Sequence, residues 1–139
     1  MARTKMNEEP KITVFYEKFY IDTTSKHIPS LFSKNEIEHM CLKEYWADSI
    51  DAFQSNDCIT YLICISGDIR VIFPYYIGNG YKFSQYFISG LDGKVLKIPY
   101  NTMFGIHNMG TDKAVLLEAE SKETFNTTRE SRDIFNWGL

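Results

Sequence analysis

The chain has 139 residues, 44% of them apolar, which suffices to enclose one core and leaves little room for a second domain. A formal charge of -3 with no clustered Lys/Arg patch argues against a nucleic-acid partner, whose phosphates demand a basic face. Cys41, Cys58 and Cys64 are odd in number and lack C-x-x-C spacing, which argues against a disulfide framework or a zinc site and for a reducing cytoplasm.

Residues 1–10 are polar and charged and read as a flexible lead-in without an apolar signal core, ahead of a single domain over 11–139. No apolar run is long enough to span a membrane, so a soluble, unsecreted protein is expected. Lys11 to Tyr20, with Ile12, Val14 and Tyr16 alternating, predicts a first strand. Asp22 to Lys26 is a turn cluster. Ser33-Lys34-Asn35-Glu36 has capping-box spacing, and Ile37, Met40, Cys41 and Tyr45 then recur at helical intervals. A short helix over residues 34–44 is the expectation, with a twisted strand as the competing reading.

Beyond this point the pattern is strongly β. Cys58 to Ile65 and Ile69 to Phe73, broken at Ser66-Gly67-Asp68, predict a hairpin. Strands follow at Tyr81–Ser89, Val95–Pro99 and Ala114–Glu120, with turns at residues 90–93 and 109–112 and a loop running to Asn108. Phe135 and Trp137 are placed to cap one end of the structure. Many short strands at near-regular spacing make the chain all-β, a sandwich or small barrel with short helical segments. Aromatics reach 15%, a composition that suits sheet surfaces and also a pocket that stacks flat ligands such as sugars or bases.

The run Gly93 to Asn108 resembles the second sequence motif of the cupin β-barrels, in which Gly, Pro, Gly, His and Asn follow at fixed spacing. Gly93, Pro99 and Asn108 fall in register. The second Gly is Asn101, the non-Gly residue type that most readily takes a left-handed turn conformation. The His is Phe104, a ring that can neither bind a metal nor carry a proton.

Ile98-Pro99, Phe104-Gly105-Ile106, Asn108-Met109-Gly110, the apolar Ala114–Leu117, Thr124-Phe125-Asn126 and Trp137 follow in an order similar to the C-terminal half of the dTDP-4-dehydrorhamnose 3,5-epimerases. The Tyr61–Phe73 stretch is similar to an earlier strand pair of these epimerases and of the related sugar 3,4-ketoisomerases. The resemblance spans residues 42–137 and implies a cupin-type jelly roll, a homodimer, and a nucleotide-linked keto sugar of deoxysugar or surface-polysaccharide biosynthesis.

In those enzymes a His in an Arg-Gly-x-His segment acts as base, a late Tyr as acid, and a Lys steadies the enolate, as removal of a proton beside a carbonyl requires. The matching positions here differ. If Leu42–Trp46 sits on the early segment, the base is Trp46 and the Arg is Lys43. Counting back from Gly67 instead places the pair at Gln54 with Asn56, or Phe53 with Ser55. The enolate Lys falls on Thr60, and the acid falls near Leu117 or Glu118.

A cupin metal site wants several imidazoles, whereas His27, His39 and His107 all fall outside the family's ligand positions, so no metal and no cofactor are expected. His107 and Glu118 remain as catalytic candidates. His107 lies in a loop and points either into the barrel mouth or to solvent. Glu118 and Glu120 alternate with Leu117 and Ala119, either as a solvated face or as inward carboxylates able to serve as base. Lys43 and Arg70 are candidates for holding a diphosphate. Tyr61, Tyr75, Tyr76, Trp46 and Phe104 are candidates for stacking, with core filling as the alternative for the tyrosines and Phe104. Two function classes follow: an epimerase or isomerase with rearranged catalytic groups, or a non-catalytic homologue that binds a sugar nucleotide or serves a structural role.

Overall fold

The computed structural model describes residues 8–16, 37–90, 92–121 and 126–138. Its strands are β1 Thr13–Tyr16, β2 His39–Tyr45, β3 Ile50–Asn56, β4 Thr60–Ser66, β5 Asp68–Ile77, β6 Gly80–Ser89, β7 Lys94–Ile98, β8 Phe104–Asn108, β9 Ala114–Glu120 and β10 Thr127–Arg129. They form two five-stranded sheets, in the orders β1-β7-β4-β9-β2 and β10-β3-β8-β5-β6, and every pairing is antiparallel. This is the all-β jelly roll expected of a cupin. The single described helical turn is a 3-10 turn at Arg132–Ile134, capped by the Ser131 hydroxyl.

Strand alternation sorts the side chains into three layers. Leu62, Cys64, Leu96, Ile98, Leu116, Val71, Phe73, Phe104 and Ile106 meet between the sheets as the main core. Burial of each large side chain there stabilises the fold by about 1.5–3 kcal/mol. Tyr61, Ile63, Val95 and Ala119 cluster on the outer face of the first sheet. Phe53, Ile72 and Trp137 cluster on the outer face of the second. Because β4 is covered on both faces, its sequence is continuously apolar rather than alternating.

Four expectations are corrected. The helix over residues 34–44 is strand β2 from His39 onward, with Ser33–Glu36 outside the described residues. Pairing of all seven β2 residues with β9 overrides the helical spacing. The predicted hairpin is not one: β4 and β5 lie in different sheets, and the chain crosses between them at Gly67. Gly67 has φ 96, and a Cβ there would stand 2.7 Å from that of Ala114, so the corner needs glycine. β5 instead forms its hairpin with β6.

The loop leading to Asn108 contains a fully buried strand, β8. Gly105 in that strand lets it lie against β3, since a Cβ would meet that of Ala52 at 2.6 Å. Finally, Phe135 and Trp137 cover the outer face of the second sheet rather than an end of the barrel. The turn residue Asn101 takes φ 54, the left-handed conformation expected of it.

The described part of the first strand, β1, finds the sheet edge it needs at β7 of its own chain and is itself an outer strand of the first sheet. Residues 17–20 of the predicted strand lie outside the described residues. Pro10 is buried and Ile12 packs on the main core, so the chain is in contact with the barrel before β1 begins.

Candidate active site between the sheets

Reading β2 as a strand brings a polar set into view. Tyr45 belongs to the main core, so His39, Cys41 and Lys43, at steps of two, share its inward face. On β9, Leu116 is core and Glu118 and Glu120 continue its face. The register sets Cys41 and Leu62 on either side of Glu118, and His39 and Thr60 on either side of Glu120. The inward-carboxylate reading of Glu118 is the observed one, and the solvated-face alternative is set aside: Glu118 is 2% exposed.

Lys43 Nζ lies 2.9 Å from Glu118 Oε2. The contact is a close, charge-assisted ion pair to a carboxylate that the fold buries. Burial pushes the Glu118 carboxyl above the usual carboxylate range; Lys43 offsets only part of this, and the nearby Glu120 and Asp51 add to it. Burial also works against the Lys43 ammonium, but Glu118 outweighs it, and the lysine is held above its ordinary value and stays charged. Tyr45 Oη donates to Asp51 Oδ2 at 3.4 Å, joining the two sheets, and burial raises its phenol so that it remains a donor. Cys41 and Cys64 are thiols rather than thiolates; burial raises both, Cys64 to about 11.

A second set adjoins the first. His39 Nδ1 is 3.1 Å from Glu120 Oε1, and Cys58 Sγ donates to Glu120 Oε2 at 3.3 Å. Thr60 Oγ1, the position matching the enolate lysine, accepts from Asn56 Nδ2 at 3.5 Å. The inner face therefore carries a buried carboxylate of raised proton affinity, a partly exposed cation, a phenol donor and, at its open end, an exposed histidine paired with a carboxylate. That set is chemically able to remove a proton beside a carbonyl and to steady the resulting negative charge. Among the described residues, no three His, Cys, Asp or Glu side chains are grouped to hold a metal ion.

The structure thus pairs Lys43 with Glu118, sets Thr60 beside Glu120 on the same inward face, and sends the other candidates elsewhere. Phe104 fills the main core, 6.4 Å from Phe73. Tyr61 packs edge-on to Phe15 on the outer face of the first sheet. Trp46 is 77% exposed beyond the end of β2. Tyr76 packs against Tyr81 in the β5–β6 hairpin. Arg70 and His107 bond to each other on the outer face of the second sheet, so neither reaches the interior.

His39, Tyr45 and Asp51 are not site candidates on sequence grounds, whereas Glu120 is weighed with Glu118 as an inward carboxylate. The signal for the first two was present, a polar residue at every second position from His39 to Lys43 leading to Tyr45, but helical spacing concealed it. Asp51 gave less: a bulge between it and Gln54 breaks the alternation of β3.

The fold and this interior define a cupin-type jelly roll with a charged inner face. Among solved structures it is similar to a dTDP sugar isomerase from Desulfovibrio desulfuricans G20, at a TM-score of 0.66 and 15% identity over 95% of this chain and 90% of that one. It is also similar to dTDP-4-dehydrorhamnose 3,5-epimerase from Sulfolobus tokodaii, at a TM-score of 0.70 and 10% identity over 92% of this chain and 81% of that one. A third similar structure is Drosophila melanogaster CENP-C bound to CAL1, at a TM-score of 0.50 and 16% identity over 58% of this chain and 62% of that one. No protein-family model matches the chain, and no curated protein matches it in sequence. No helix among the described residues is long and apolar enough to cross a membrane.

Proposed function

We propose that the chain binds a nucleotide-linked keto sugar between its sheets and acts on it as a divergent epimerase or ketoisomerase of deoxysugar or surface-polysaccharide biosynthesis. The observation that carries this reading is the Lys43–Glu118 pair at 2.9 Å on the inner face, with the carboxyl held above its usual range. Glu118 takes the proton beside the keto group. Lys43 stands where the enolate charge develops, and His39 with Glu120 is the nearest carrier to return a proton. Similarity in fold to a dTDP sugar isomerase and a dTDP-sugar epimerase supports the ligand class. The unbridged cysteines Cys41, Cys58 and Cys64 fit a cytoplasmic setting.

The test is deuterium wash-in at the carbon beside the keto group, followed by NMR on dTDP-linked 4-keto sugars. Wild type is expected to incorporate label, and Glu118→Gln to slow incorporation by about 10²–10⁴-fold. Absence of both binding and exchange overturns the reading.

Binding without exchange selects the second reading, a non-catalytic homologue. That reading draws on the replacement of the family's base by Trp46 or another non-His residue, and on the occurrence of the fold in a CENP-C structure bound to a protein. A homodimer belongs to either version. With β1 paired inside its own chain, the dimer rests on the exposed apolar Met40 and Leu42 of edge strand β2. Light scattering that gives the monomer mass of 16.2 kDa at every concentration removes it.

A further inference from the structure

We infer that His107 is a pH-sensitive latch that fastens the C-terminal segment, residues 131–138, to the outer face of the second sheet and releases it on acidification. The bonding around the ring fixes its protonation state. Arg70 Nη2 lies 2.9 Å from His107 Nδ1, and a guanidinium can only donate, so Nδ1 is an acceptor. The ring proton is then on Nε2, which donates to Asp48 Oδ1 at 3.0 Å. His107 is 5% exposed, so water does not substitute readily for either bond.

Protonation fills the Nδ1 lone pair. The bond to Arg70 becomes an encounter of two donors, both cationic, at the same 2.9 Å. Asp48 is served in either state, so the change falls on Arg70. That arginine also donates to the Trp137 carbonyl at 2.9 Å and lies 5.5 Å from the Phe135 ring centroid and 5.6 Å from that of Trp137. Moving it weakens the carbonyl bond and both cation–π contacts together. The Trp137 ring also stands edge-on to His107 at 5.7 Å, so the two halves of the latch touch directly.

The charged groups bonded to His107 are Arg70 from β5 and Asp48 from the β2–β3 loop. The C-terminal segment faces it with the uncharged Trp137 ring. Asp48 also ties the latch to the loop joining Tyr45 to Asp51, two residues that frame the interior site.

The experiment follows hydrogen exchange of the Trp137 indole N–H, which donates to the Arg132 carbonyl at 2.8 Å. After correction for intrinsic chemistry, lowering the pH from about 7.5 to about 5.5 is expected to accelerate exchange in the wild type about tenfold or more. His107→Gln keeps an acceptor toward Arg70 and a donor toward Asp48 without titrating, and is expected to hold its protection across that range. Equal protection of the wild type at both pH values overturns the latch, as does a His107→Gln variant that shows the wild-type acceleration. Should that variant not fold, nitrogen-15 shifts of the native imidazole decide: protonated Nε2 with bare Nδ1 at neutral pH supports the latch, and the opposite tautomer rejects it.

Discussion

Two charged clusters among the described residues lie on different faces and differ in what their charged groups meet. Outside the second sheet, both ring nitrogens of His107 are used, and Arg70 bonds His107 and Trp137 through Nη2 and faces two aromatic rings, while its buried Nε makes no hydrogen bond. Between the sheets, Glu118 sits as deeply, and burial raises its proton affinity even though Lys43 Nζ lies 2.9 Å from its Oε2. The first cluster holds chain segments together. The second keeps a buried carboxylate of raised proton affinity beside a cation, and carboxyls perturbed in this way are candidates for proton transfer.

The comparison is broken most severely from the outside. Trp137→Ala removes a buried ring that packs on Phe53 at 5.4 Å and Phe135 at 4.9 Å. It is expected to cost about 3–5 kcal/mol in urea unfolding, while the protein that remains folded keeps its interior exchange activity. An unchanged midpoint would remove the outer cluster from the structural account.

A smaller effect is expected at Lys43. Lys43→Met leaves Glu118 without its nearby cation, so the loss is about 1–3 kcal/mol near pH 8 and fades in acid, where the carboxyl is protonated. Thermal unfolding of the variant across pH checks this, and a pH-independent loss would contradict it.

The smallest change sharpens the contrast. A carboxyl whose folded value is raised contributes stability that is complete below its unfolded value, about pH 4.3, and is lost as pH rises through the folded value. Glu118→Gln abolishes that slope, so the variant gains on the wild type as pH increases, by about 1 kcal/mol or less at neutral pH. Stability curves that stay parallel would mean that Glu118 is not desolvated as described.

Most of the architecture was readable in the chain because it depends on local pattern. Ala114–Glu120 alternates, the turn positions carry Gly or Asn, and Gly93, Pro99 and Asn108 keep their spacing. Asn108 shows why that spacing is informative: its buried side-chain amide donates to the carbonyls of Tyr45 and Asp112 and accepts from Gly110 N–H. One residue of that type at that place fastens two turns.

What the sequence alone could not decide was which partner each strand would find. Residues 37–45 satisfy a helical and an extended reading equally in isolation, and only the ladder with β9 selects the strand that turns His39, Cys41, Lys43 and Tyr45 inward. Likewise Ser66-Gly67-Asp68 reads as a hairpin turn, and only the existence of two sheets makes it a crossing. His107 and Glu118 were equal candidates as residues. The sheet pleat separates them, because adjacent positions on a strand face opposite sides, and the neighbours across each ladder then determine which side is the interior.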